Sequence, residues 1–111
     1  MSSAKKSRFH PGQLDAVARL FGVLSEPSRL HLLQTLQPRP LSVGQLVEAT
    51  GLKQANVSRH LAVLFSHQLV RRRRDGATIY YEIADPSIFA LCDLVCTKVE
   101  RDARKITRLF E

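Results

Sequence analysis

LSVGQLVEATGLKQANVSRHLAVLFSHQLV, residues 41–70, decides how this chain folds. It opens on Ser42-x-x-Gln45, a pairing in which the hydroxyl and the amide each satisfy a free backbone N–H at a helix start. Val43, Leu46, Val47 and Ala49 follow at helical spacing, which predicts a short helix with these four facing inward until Thr50-Gly51 breaks it. After a turn, residues 54–68 read as a longer helix with Val57, Leu61, Leu64 and Phe65 on one side. Two helices joined across a Gly-containing tight turn, the second polar and basic at its N-terminal end, make a helix-turn-helix.

Working upstream, SEPSRLHLLQTL predicts a helix capped by Ser25, with Glu26 and Pro27 in its first turn and Leu30, Leu33 and Leu36 as its buried stripe. Pro38 and Pro40 end it, because proline cannot continue the hydrogen-bond ladder. Before it, Leu14, Val17, Ala18, Leu20, Phe21 and Leu24 mark an amphipathic helix beginning after Pro11-Gly12. Downstream, LVRRRRDGATIYYEI combines the hairpin dipeptide Asp75-Gly76 with a β-prone alternation of Ile79, Tyr81 and Ile83 against Thr78, Tyr80 and Glu82. A hairpin directly after a helix-turn-helix is a wing. Asp85-Pro86-Ser87 then starts a helix reaching about Arg108, ~33–36 Å long. On it Ile88, Cys92, Val95, Val99, Ala103, Ile106 and Phe110 share one apolar arc, opposite Asp93, Glu100, Arg101, Arg104, Lys105 and Arg108. The expected architecture is mainly α with a small β-hairpin: a winged helix-turn-helix of order α-α-α-α-β-β-α over residues 11–109, preceded by a basic arm at residues 1–10.

A chain of 111 residues with 44% hydrophobic content is one ordered domain. No apolar run approaches the ~20 residues of a membrane span, and the basic, polar first dozen residues do not read as a secretory signal. Two cysteines without secretory context point to a reducing compartment, hence a cytoplasmic location. Lys and Arg number 17 against 10 acids, a net charge of +7. Distribution says more than the sum: Lys53 through Arg74 carries six cations and no acid. A surface facing phosphates needs such a purge, since every carboxylate on it would repel the partner.

That partner is expected to be double-stranded DNA, because an α-helix fits the major groove and meets a distinct donor and acceptor pattern there. Gln54 and Asn56 carry amides suited to bidentate contacts with adenine. Ser58 and His60 can meet bases or phosphate, and Lys53 and Arg59 hold phosphates and fix the register. Ala55 and Thr78 complete the expected contact surface. Of Arg71, Arg72, Arg73 and Arg74, alternate side chains point to opposite faces, so one pair reaches DNA: Arg72 with Arg74, or Arg71 with Arg73. A monomer of this size makes few contacts, so a homodimer is expected. Its interface would use Leu14, Val17 and Phe21 of the first helix with Ile88, Leu91, Cys92, Val95, Val99 and Ile106 of the last. Two-fold symmetry would set the recognition helices roughly 34–36 Å apart and call for an imperfect inverted repeat.

LFGVLSEPSRLHLLQTL, LSVGQLVEATGLKQANVSRHLAVLFSHQLV and RRRRDGATIYY together resemble the ArsR/SmtB family of bacterial winged-helix repressors, most closely around Val57-Ser58-Arg59-His60-Leu61. The resemblance covers most of residues 18–83. It implies a bacterial, nucleoid-associated homodimer that represses by blocking a promoter. Many members of that family release DNA on binding a metal. One family site has a pattern like Leu-Cys-Val-Cys-Asp-Leu, where this chain has Leu41-Ser42-Val43-Gly44-Gln45-Leu46. The other uses Asp-x-His followed by His-x-x-Glu, where this chain has Asp85, Ser87, Lys98 and Arg101. The zinc and arsenite sites are therefore absent in their usual form, and no cofactor is assigned.

Cys92 and Cys96 remain, four residues apart on the last helix. Neighbours at that spacing lie ~5–6 Å apart at Cβ, too far for an intrahelical disulfide. Two readings stand: small apolar packing residues, or sensor thiols, redox- or persulfide-responsive or binding arsenite or another soft metal, alone or shared across a two-fold. The histidines His10, His31, His60 and His67 do not cluster as ligands. A rival of another class is a winged-helix module whose basic patch meets an acidic protein. An enzyme is not expected: there is no Gly-rich phosphate loop, nucleophile elbow or paired carboxylate–histidine arrangement.

Overall fold

The computed structural model describes residues 10–110. Eight elements follow in order: α1 (Pro11–Leu24), α2 (Pro27–Leu36), β1 (Leu41–Ser42), α3 (Val43–Thr50), α4 (Gln54–Ser66), β2 (Val70–Asp75), β3 (Thr78–Ile83) and α5 (Ile88–Leu109). This is the expected winged helix-turn-helix with one addition. Leu41 and Ser42 form a two-residue strand on Tyr81 and Tyr80, which makes the wing a three-stranded antiparallel sheet of order β1-β3-β2. Two residues are too few to show alternation, so the sequence carries no sign of this strand. The expected basic arm lies outside the described residues except for His10, the N-cap residue of α1.

Local chemistry explains the helix ends. The Ser42 hydroxyl accepts from the Gln45 N–H at 3.2 Å, and Gln45 Oε1 accepts from the Ser42 N–H at 2.9 Å, as read from the sequence. Gly51 closes α3 at φ 75° with its N–H on the Val47 carbonyl. The Thr50 hydroxyl supports the turn, donating to the Leu46 carbonyl and accepting from the Leu52 N–H. Helix α2 differs from expectation: its cap is Glu26, whose carboxylate accepts from the Ser28 N–H at 2.9 Å, while Ser25 closes α1 by donating to the Gly22 carbonyl. A carboxylate at a helix N-terminus also faces the positive end of the dipole. The wing's two loop residues are Gly76 and Ala77, one position beyond the expected dipeptide, with a positive φ of 64° at Gly76 only. That is the type II′ pattern, whose twist suits a hairpin.

The core gathers where α2, α3 and α4 meet. Leu32, Leu33, Leu36, Leu46, Val57, Leu61 and Leu64 are fully buried, and Leu41, Leu69 and Val70 close the side toward the wing. Leu30 is only half-buried, and Ala49, expected inside, is exposed. Helix α5 leaves this core after Ile88 and Phe89, and most of its apolar arc faces outward. The radius of gyration is 17.5 Å, against about 13 Å for a compact domain of this length.

One strained residue joins α4 to β2. Gln68 has φ 62°, the left-handed region, while the Leu69 N–H reaches the Leu64 carbonyl and the Gln68 N–H the Phe65 carbonyl. This is a Schellman ending with a side chain where glycine is favoured. Gln68→Gly should therefore raise stability by about 0.5–1 kcal/mol, the left-handed penalty less the entropy of a freer unfolded chain. Urea unfolding of both proteins checks this through a higher midpoint at unchanged slope.

Candidate nucleic-acid interface

Helix α4 turns its buried side, Val57, Leu61 and Leu64, to the core, and this alone determines which residues face out. Lys53, Gln54, Ala55, Ser58 and Arg59 are exposed together at its N-terminal end. Lys53 is the N-cap residue and makes no side-chain cap bond, so the first-turn N–H groups stay open toward an anion. Asn56 is half-buried, and its Oδ1 accepts from Arg59 Nη2 at 3.1 Å. That bond uses one of the two lone pairs of the Asn56 amide oxygen and leaves its NH2 group free.

His60 departs from the expected placement. It is 6% exposed, on the inner side of α4, and its Nδ1 accepts from Arg29 Nε at 3.2 Å. Periodicity puts it one residue before Leu61, and the expectation of a surface contact overlooked that the inner stripe is wide enough to take both. Burial, then Arg59 and Arg29, hold its pKa below the ordinary histidine value, against the pull of Glu26. The ring is thereby turned away from the exposed face of α4.

The wing separates its arginines by face. Cross-strand partners Arg71 and Glu82 pair at 2.9 Å, and Arg73 reaches the other Glu82 oxygen at 3.5 Å while lying over the Tyr80 ring. The Arg71 hydrogen bond, more than any other contact, holds the Glu82 carboxyl below its usual range. On the opposite face, Arg72 stacks on the Phe65 ring with its guanidinium carbon 3.9 Å from the centroid. Phe65, expected on the inner side of α4, is 38% exposed and serves as the platform for this arginine. Among the described residues, Arg74 near the tip has neither a carboxylate nor a ring partner. Thr78 is exposed beside it, opposite Asp75.

Away from this surface, Leu14 and Phe21 of α1 are each 51% exposed, and Leu94, Val95, Val99 and Ile106 of α5 are open as well. Val17 and Leu91 are half-buried. Ile88, expected at an interface between copies, is instead buried within its own chain. An apolar cavity of about 280 Å³ lies between α1, α2 and α5, walled in part by Phe21, Leu33, Phe89, Cys92 and Cys96. Cys92 is half-buried, and burial first, then Cys96 and Asp93, push its thiol up from the ordinary value; Cys96 is exposed.

The donor sets do not fit the metal positions that the resemblance suggests. The Ser42 hydroxyl and Gln45 amide are engaged in capping α3. Asp85 Oδ1 accepts from both the N–H and the hydroxyl of Ser87, and Lys98 pairs with Asp102 at 2.6 Å. Among the described residues no three His, Cys, Asp or Glu side chains converge as a metal site, and no helix is long and apolar enough to cross a membrane.

A helix-turn-helix with an exposed basic reading helix and an arginine-rich wing defines the winged helix-turn-helix class of DNA-binding regulators, which are not enzymes. Residues 26–72 match the family described as bacterial regulatory protein, arsR family. The chain is 38% identical over 76 residues to the HTH-type transcriptional regulator KmtR of Mycobacterium tuberculosis, covering 68% of this chain and 58% of that protein. It superposes on the crystal structure of Rv0081 from M. tuberculosis with a TM-score of 0.77 at 33% identity, covering 87% of this chain and 97% of that one. It superposes likewise on the homodimeric winged helix-turn-helix domain of Mb0332 from Mycobacterium bovis, with a TM-score of 0.73 at 32% identity, covering 86% and 89%. The chain belongs to the ArsR family.

The two faces of the wing should separate in a stability measurement that needs no DNA. Arg72→Ala is expected to cost about 0.5–1 kcal/mol by removing the stack on Phe65. Arg74→Ala should change stability by less than about 0.5 kcal/mol, as for a surface residue without partners. Denaturant unfolding of the two variants reads the difference directly.

Proposed function

We propose that this protein is a sequence-specific transcriptional repressor that binds an imperfect inverted-repeat operator as a homodimer in the bacterial cytoplasm. The observation that carries this reading is the acid-free segment from Lys53 to Arg74, which runs from the N-terminal end of α4 to near the wing tip. Gln54, Ala55 and Ser58 face the bases. Asn56 joins them through its free NH2 group and the second lone pair of its amide oxygen. Lys53, Arg59, Arg74 and Thr78 hold the backbone, and Arg71 and Arg73 add charge tempered by Glu82. Arg72 orients the wing. His60 is not part of the contact surface.

The dimer forms through the exposed apolar faces of α1 and α5, with Leu14, Val17, Phe21, Leu91, Val95, Val99 and Ile106 at its centre and Ile88 inside each protomer. Each copy carries a net charge of +7. The pair brings enough positive charge to two adjacent grooves for tight, salt-sensitive binding. Cys92, protonated and half-buried, fits the packing reading better than that of a poised sensor thiol. No effector is assigned.

Selection of operators from random DNA, followed by affinity measurements across a salt series, tests the proposal. Arg74→Ala should flatten the dependence of log K on log salt by about one unit per protomer and leave base preference intact. Gln54→Ala should alter base preference, at roughly 1–3 kcal/mol for the contacted pair. Val99→Glu should yield monomers in sedimentation and abolish operator binding. A chain that stays monomeric and binds every duplex alike would overturn the reading.

A further inference from the structure

Among the described residues His60 is the one buried polar side chain, and it lies on the helix proposed to read DNA. Its neighbours along the inner side of α4 are Val57, Leu61 and Leu64. A leucine there would bury more cheaply, since a polar group taken from water has to recover its lost hydrogen bonds. His60 recovers one from Arg29 Nε. Arg29 stands in the first turn of α2, and its Nη1 donates to the Val23 carbonyl in the last turn of α1 at 3.2 Å. One guanidinium thus ties the end of α1 to the middle of α4. Arginine is donor only and stays charged, so His60 Nδ1 has to be the bare nitrogen and Nε2 has to carry the proton.

A hydrogen bond restrains what apolar contact does not. Leucines packed in a core oppose separation but are non-directional. With side-chain tips about 5–6 Å from the helix axis, a roll of about 10° moves them by about 1 Å. Hydrogen bonds to base edges lose their geometry over that distance, whereas phosphate contacts by long, flexible cations can follow it.

We propose that Arg29 and His60 are positioning residues for operator reading: the neutral imidazole, held by Arg29, fixes the roll of α4, and protonation of His60 releases it. The proposal rests on the DNA-reading function set out above. The charged groups facing the ring are Arg29 on α2, Arg59 on α4 itself and Glu26 at the cap of α2. A protonated ring has no acceptor left for Arg29 and meets two guanidiniums, with only Glu26 in its favour. The folded protein therefore resists protonation that the unfolded chain accepts. The His60 contribution is complete above the ordinary histidine range, near pH ~6.5, and is lost as pH falls through and below it.

The test compares the parent with His60→Gln, His60→Leu and Arg29→Lys, on an operator selected by the parent at about pH 7.5 and on a random duplex, at constant salt. For the parent, the ratio of operator to random affinity should fall about ten-fold as pH is lowered from about 7.5 to where nitrogen-15 spectra show the His60 ring protonated, while random-duplex affinity moves far less. His60→Gln, whose amide oxygen can accept from Arg29, should keep a high ratio at both pH values. His60→Leu should show a ratio about ten-fold lower than the parent at the higher pH, and flat below it. Arg29→Lys keeps the charge and loses the Nε donor, so its ratio should drop as well; a retained ratio would mean that charge alone suffices and would overturn the proposal.

Nitrogen-15 spectra of the parent supply a readout that holds even if His60→Leu fails to fold, with His60 Nδ1 expected unprotonated at neutral pH. A proton on Nδ1 overturns the proposal, as does a parent ratio indifferent to pH. A parent that selects no sequence at all overturns the operator reading instead, which separates the two failures.

Discussion

The junction of α2, α3 and α4 fixes which face of α4 is turned outward. Leu33 and Leu36 come from the first of these helices, Leu46 from the second, and Val57, Leu61 and Leu64 from the third, all of them shielded from water. Burying a side chain of this size contributes about 1.5–3 kcal/mol, so the cluster supplies much of the driving force for folding. It also sets the angle between α3 and α4, and with it the outward face of α4. The hydrogen bond from Arg29 to His60 adds the one directional restraint inside that otherwise non-directional packing.

Charge is arranged around this junction by sign and by degree of restraint. Acids are absent from Lys53 to Arg74, yet the wing borrows one from the facing strand: Glu82 lies between Arg71 and Arg73 and eases their mutual repulsion. Arg72 is restrained differently, by the Phe65 ring. Four consecutive cations thereby coexist on a short strand, and Arg74, without a carboxylate or ring partner among the described residues, stands nearest the turn. On α5 the apolar residues remain outside because a 111-residue chain has too little interior to cover a helix of about 33 Å.

Most of this fold is legible in the sequence because its signals are local. Ser42-x-x-Gln45, Gly51, the prolines at 38 and 40 and the apolar spacing of α4 each act within a few residues, and the helices lie where they imply. What stayed hidden involves partners distant along the chain. Arg29 and His60 are 31 positions apart, and no local pattern distinguishes Arg29 from a solvated cation. Phe65 sits at a spacing compatible with the core, and only the path of β2 turns it into a platform for Arg72. The exposure of Lys53, Gln54, Ala55, Ser58 and Arg59 was legible as a set. The inward placement of His60 was not, since a polar residue beside a leucine fits either side of a helix boundary.

Strand β1 consists of Leu41 and Ser42 alone, and Ser42 is also the residue that caps α3. The same dipeptide is therefore bound into the sheet and into the helix-turn-helix, with no hinge between them. Strand pairing to the wing and the cap of the helix-turn-helix thus share one residue. Under the proposed DNA-reading function, such a shared residue would leave the duplex to adapt between helix and wing, favouring sequences that bend easily there without being touched.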